Sequence, residues 1–127
     1  MIVALDTNAY SDFLRGVTSR VAVVRGAERI HLPLIVLGEL RAGFAAGNRE
    51  ADNLETLRQF LASPRVSILY PDQATTDHYA NIFVDLRNRG AAIPTNDLWI
   101  AALAIQHNLD LCGSDAHFQD VRGLRLC

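Results

Sequence analysis

Ile2-Val3-Ala4-Leu5 is an unbroken apolar run that ends on Asp6. A strand with one wet face alternates apolar and polar side chains, so a short run without alternation reads as a strand covered on both faces, as in a parallel α/β sheet. Open α/β sheets place their ligands beyond the carboxyl ends of such strands. Asp6 therefore has two readings. It caps a following helix, which Asn8 and Ser11 can also start, or its side chain belongs to a functional site.

The rest of the chain alternates strand and helix. Ala9 to Leu14 reads as a short helix closed by Gly16, and Ser19 caps a second segment, Arg20 to Arg25, with Val21, Ala22 and Val24 as its apolar face. Ile30-His31-Leu32 is a second strand or a turn, and Pro33 opens the helix Leu34 to Ala46. That helix is apolar nearly all round, with Glu39 and Arg41 its only charges, which predicts that it is largely buried. A carboxylate in such a helix requires an arginine partner or a metal, because an isolated buried charge is expensive. Arg41 is two residues on and points elsewhere.

Glu50 to Ala62 is amphipathic, with Leu54, Leu57 and Leu61 on one stripe, and it ends at Ser63-Pro64. Val66 to Leu69 is a third strand. Thr75 to Arg89 is helical, with Tyr79, Ile82, Phe83 and Leu86 at core spacing and Gly90 just beyond its end. Pro94-Thr95-Asn96-Asp97 starts a helix whose small alanines, 101, 102 and 104, predict close packing. Thr95 or Asn96 suffices as its cap, which leaves Asp97 in the first turn, where the helix dipole favours a carboxylate. Leu109 to Cys112 is a fourth strand, followed at once by Gly113-Ser114-Asp115, again an acid at a strand end; Leu124-Arg125-Leu126 is a candidate last strand. With no repeat, low-complexity tract or linker, residues 1–127 read as one α/β domain, a mostly parallel sheet of about four to five strands sandwiched by helices.

Composition narrows the chemistry. All 12 basic residues are arginine. Without a lysine there is no phosphate loop of the Walker type and no Schiff-base mechanism. The net charge of -2 does not advertise a nucleic-acid binder, so any such surface has to be local. Cys112 and Cys127 are few, and Cys112 sits in an apolar run that reads as core. With no membrane-length apolar stretch and no signal peptide, the expectation is a soluble protein of the reducing cytoplasm.

Four acids stand at strand ends or in largely apolar helices: Asp6, Glu39, Asp97 and Asp115. Hard divalent cations such as Mg²⁺ and Mn²⁺ take oxygen ligands, and clustered carboxylates hold them beside phosphates. His31, His78, His107 and His117 lie in no serine or thiolate motif, and with the two cysteines they form no zinc spacing.

Four stretches, Leu-Asp-Thr-Asn at 5–8, Gly-Glu-Leu at 38–40, Asn-Asp-Leu-Trp-Ile-Ala-Ala-Leu-Ala at 96–104 and Ser-Asp-Ala-His-Phe at 114–118, carry a resemblance over essentially the whole chain. Together, in this order and spacing, the chain resembles the PIN-domain ribonucleases, and among them the VapC-type toxins of bacterial toxin–antitoxin pairs. The resemblance implies a metal-dependent endoribonuclease with Asp6, Glu39, Asp97 and Asp115 as its catalytic acids. Asp6, Asp97 and Asp115 would contact Mg²⁺ or Mn²⁺, and Glu39 would be a further ligand or would position the attacking water. Thr7, Asn8 and Ser114 would support the site. It further implies water-dependent cleavage of RNA to 5′-phosphate and 3′-hydroxyl ends, a cognate VapB-like antitoxin, and a homodimer formed through the helices after Pro33 and Thr75.

Two alternatives stand beside this. An aspartate ending a first strand also marks haloacid-dehalogenase-like phosphatases and response-regulator receivers, but both normally use a lysine, and the phosphatases want a second aspartate where this chain has Asn8. The other is a non-catalytic PIN-like module that binds RNA or protein. A flap-type DNA nuclease is disfavoured because the chain has no room for the helical clamp those enzymes carry.

Overall fold

The computed structural model describes the backbone of residues 1–127 and every side chain except that of Asp115. Five strands, β1 (Ile2–Leu5), β2 (Arg29–Pro33), β3 (Val66–Leu69), β4 (Asp110–Cys112) and β5 (Arg125–Leu126), form one sheet in the order β3-β2-β1-β4-β5. Every neighbouring pair is parallel. This is the α/β architecture expected from the alternating strands and helices. The central strand β1 buries Val3, Ala4 and Leu5 in succession, so both of its faces are covered, which is why its sequence does not alternate.

The chain leaves β1 on one side to form β2 and β3, then returns to the other side of β1 as β4. The crevice between the carboxyl ends of β1 and β4 is thus the topological switch point of the sheet. Leu5 pairs with Cys112 across it, and the Asp6 amide extends the ladder by donating to the Cys112 carbonyl over 2.9 Å.

Around the sheet lie α1 (Thr7–Leu14), α2 (Thr18–Gly26), α3 (Leu34–Ala46), α4 (Glu50–Leu61), α5 (Gln73–Asn88), α6 (Thr95–Gln106) and the single turn α7 (Asp115–Phe118). Aromatic contacts join the layers: Tyr10 of α1 meets Phe60 of α4 edge-on with ring centroids 5.2 Å apart, and Tyr79 of α5 lies 4.4 Å from Trp99 of α6. Helix α5 starts earlier than its apolar spacing indicates. Asp72 accepts from the Thr75 amide while the Thr75 hydroxyl accepts from the Asp72 amide, a reciprocal capping box that recruits Gln73 and Ala74 into the first turn.

Helix α3 departs from expectation more fully. Only Val36 and Leu40 are buried, and Leu34 is 39% exposed. Its outward side forms, with α4, a cleft of about 190 Å³ lined by Leu37, Leu54, Leu57 and Leu61 between Arg41 and Arg58. The all-round apolar surface therefore exceeds what the domain itself covers.

The two cysteines also differ from their sequence reading. Leu111 pairs with Leu126, so the next residues along the parallel strands, Cys112 and Cys127, are brought together. They form a disulfide with Cα atoms 4.7 Å apart. No helix among the described residues is long and apolar enough to cross a membrane.

Candidate active site

Asp6 occupies both roles its sequence position allows. It is the N-cap of α1, its Oδ1 accepting from the Ala9 amide over 2.7 Å, and its Oδ2 accepts from the Ser114 amide over 2.9 Å. The same carboxylate thus ties the end of β1 to the loop after β4. The approach is close enough that a Cβ on residue 113 would stand 2.3 Å from Asp6 Oδ2, so glycine is the residue that lets the loop pass. Arg20 holds the far side of that loop, donating to the carbonyls of Gly113 (2.9 Å) and Cys127 (3.0 Å).

Asp6, Thr7, Asn8, Glu39, Asp97, Ile100 and His117 line one cavity of about 230 Å³ at this switch point. Three of the four acids singled out by sequence therefore share a pocket, although they come from the ends of β1, the middle of α3 and the first turn of α6. The side chain of Asp115 lies outside the described residues; its backbone opens α7 directly after Ser114. Ser114 contributes its amide to Asp6, and Thr7 and Asn8 contribute side chains to the lining.

Hydrogen bonds hold Asp6 and Glu39, and Asp97 has a close neighbour. The Thr7 hydroxyl donates to Glu39 Oε1 over 2.8 Å, and the Asn96 amide nitrogen stands 3.4 Å from Oε2. Thr95 and Asn96 are inside α6 rather than capping it, since the helix follows Pro94 without a side-chain cap. Asn96 spends its donor on Glu39 instead. Asp97 Oδ2 is buried and has no well-aligned hydrogen bond among the described residues, although His117 Nδ1 stands 2.6 Å from it. Sequence reading missed Asn96, His117 and Arg20 as site residues. The first two lie within the quoted motifs, whereas Arg20 carries no local signal.

Burial raises the carboxyl pKa of both Asp6 and Asp97 above the ordinary value, and Glu39 pushes each further up. For Asp6 the Ala9 and Ser114 amides and the Arg20 charge pull the other way; for Asp97, His117 does. A pocket of partly desolvated like charges is at rest only with protons or a cation in it. No three His, Cys, Asp or Glu side chains among the described residues already stand together as a metal cage. The donor set nevertheless suits a hard divalent cation of the magnesium kind, which keeps much of its water and needs only one or two carboxylates beside the substrate phosphate.

The PIN domain family model matches residues 3–124. The chain belongs to the PIN-domain family. Within it this PIN domain is of VapC type: it is 30% identical over 115 residues to Ribonuclease VapC2 of Rickettsia felis, covering 87% of this chain and 84% of that one. It is 29% identical over 112 residues to Ribonuclease VapC1 of Haemophilus influenzae, covering 85% and 82%. Its backbone superposes on VapBC2 of Rickettsia felis, solved bound to a DNA fragment from its promoter, with a TM-score of 0.85 at 26% identity over 100% of this chain and 98% of that one. VapBC-1 of nontypeable Haemophilus influenzae follows at 0.83, also 26% identical, covering 100% and 97%. Membership displaces the phosphatase and receiver alternatives, which belong to other folds.

Proposed function

We propose that this PIN domain is the ribonuclease toxin of a toxin–antitoxin pair, a Mg²⁺- or Mn²⁺-dependent endoribonuclease that hydrolyses RNA to 5′-phosphate and 3′-hydroxyl ends. The observation that carries the reading is the meeting of Asp6, Glu39 and Asp97 in one pocket at the β1/β4 switch point, Asp6 and Glu39 held by hydrogen bonds and Asp97 beside His117. Asp6 and Asp97 would hold the cation, with Asp115 as the fourth acid of the sequence pattern. When bound, the cation supplies water activation and charge neutralisation at the scissile phosphate.

The chain's own residues do the rest. Asp6 is locked by two backbone amides, so its position is set by the sheet and not by a free rotamer. Glu39, with Oε1 engaged by Thr7, positions the attacking water. Without a lysine in the chain, phosphate contacts away from the pocket fall to arginine.

The partners follow from the same reading: RNA as substrate, which places its work in the cytoplasm, and a VapB-like antitoxin. The apolar cleft between α3 and α4, with Arg41 at its edge, suits an amphipathic antitoxin segment. A homodimer through α3 and α5 would cover Leu34, Phe83 and Val84, which are exposed in the single chain.

The test is cleavage of a cellular RNA pool with and without chelator, with the new 5′ ends mapped by ligation that requires a 5′-phosphate. Wild type is expected to cut only with the divalent cation, and Asp6→Asn to lose cutting by about a hundredfold or more. Full activity of Asp6→Asn, or 5′-hydroxyl products, refutes the reading.

A further inference from the structure

We infer that His117 is a positioning residue for the acidic site: its Nδ1, 2.6 Å from the buried Asp97 Oδ2, donates to that oxygen when the cation binds, so that the other oxygen is presented to the ion. The inference rests on the metal-dependent reading above.

Geometry sets this contact apart from an ordinary surface ion pair. The His117 side chain is 49% exposed and has water available, yet its ring reaches the acid of a different helix. Asp97, at 13% exposure, is the desolvated member, and Oδ2 itself is buried with no aligned hydrogen bond among the described residues, His117 Nδ1 standing beside it. An ion arriving from solvent therefore meets the other oxygen. A neutral ring with its proton on Nδ1 is sufficient, so the contact needs no imidazolium.

The ring is itself held in place. Phe118, next in sequence, is buried in the core, and the amides of His117 and Phe118 both donate to the Ser114 carbonyl. Ser114 is also the residue whose amide holds Asp6. One turn of chain after β4 thus holds Asp6 through a backbone amide and brings a side chain beside Asp97. A hydrogen bond from such a neighbour to a ligating carboxylate removes its rotational freedom.

The experiment is calorimetric titration of the whole protein with Mn²⁺ alone, on wild type, His117→Ala, His117→Asn and His117→Gln, with a thermal melt of each. His117→Ala is expected to weaken Mn²⁺ binding by about tenfold or more. His117→Asn is expected to recover most of the loss because its amide nitrogen takes the place of Nδ1. His117→Gln, whose amide reaches towards the position of Nε2, is expected to recover none. The same order is expected in kcat for RNA, with little change in KM. If wild type binds Mn²⁺ and a folded His117→Ala binds it within about twofold of wild type, the inference is overturned while the function stands. Equal rescue by asparagine and glutamine overturns it too. Absence of Mn²⁺ binding in wild type overturns both.

Discussion

Asp6 Oδ2 accepts the backbone amide of Ser114 over 2.9 Å, a bond that spans 108 residues of sequence and closes the gap between the two central strands at their carboxyl ends. The acid is thereby part of the sheet's architecture as well as of the pocket. Capping α1 with Oδ1 and the β4 loop with Oδ2, it leaves no freedom for the carboxylate plane to turn. The helix cap and the site residue, alternatives when only sequence is considered, are one side chain doing both.

Gly113 is the position most sensitive to this arrangement. A methyl group there would lie inside the contact distance of Asp6 Oδ2, so Gly113→Ala has to displace either the loop or the carboxylate. RNA cleavage is expected to fall by about a hundredfold, the scale of a 1 Å misplacement at a reacting centre. A melt would show loss of stability as well, because the Ser114 amide loses its buried partner. Wild-type activity in Gly113→Ala would mean that Asp6 is not held where the reaction occurs.

Thr7 separates positioning of Glu39 from its chemistry. Thr7→Val keeps the shape of the side chain and removes the donor to Oε1. Activity is expected to drop by about tenfold and stability to change by less than about 1 kcal/mol, since the bond is only part-buried. Thr7→Ser, which keeps the hydroxyl, is expected to stay close to wild type in the same cleavage assay. Equal losses in both variants would place the effect in packing.

The fold was legible wherever one short segment decides one element. The run before Asp6 and the apolar run that ends on Cys112 appear near their expected places because burial on both faces leaves little choice of pattern, and the half-buried edge strand at 66–69 is marked off by Pro64 and Pro71. Glu39 was legible for a related reason: a lone acid in an apolar helix demands a partner. What was not legible depends on register or on competition between uses. Asn96 is as good a cap as a site donor by composition, and only the approach of α3 to α6 turns it to Glu39. The Cys112–Cys127 pair follows from the register of the two-residue strand β5, which no periodicity can set. Helix α3 was expected to be buried because its surface is apolar, but apolar surface reports what will be covered, not by which chain.

The capping box at the start of α5 gives a pH-dependent test away from the site. Gln106 donates to Asp72, as does the Thr75 amide, and these bonds hold the carboxyl below its ordinary value of 3.8. A group whose folded pKa is depressed stabilises the fold above its unfolded value, and the contribution is lost as pH falls through the folded one. Asp72→Ala is therefore expected to lower the melting temperature at neutral pH. The gap should narrow as the solution is taken below 3.8 and close once Asp72 is protonated in both states. A gap independent of pH would show that side-chain volume, not the carboxylate, carries the effect.

The disulfide closes a loop that begins at the buried end of β4 and returns through α7 and β5, with the two cysteines 15 residues apart in sequence. Cross-linking a loop of that length restrains the unfolded chain by about 3 kcal/mol. The same loop contains Ser114, which holds Asp6, and its two ends are bridged a second time by Arg20 through the carbonyls of Gly113 and Cys127. Reduction is therefore expected to lower global stability towards denaturant by about 3 kcal/mol. It should leave the pocket largely assembled, because the Arg20 bridge and the β4–β5 pairing remain. Cys127→Ser should reproduce the reduced protein and be insensitive to thiol. Measured side by side, oxidised, reduced and Cys127→Ser samples should share one RNA cleavage rate, with the oxidised sample alone at a higher denaturation midpoint. A cleavage rate that follows the redox state would instead assign the pair a direct hold on Asp6.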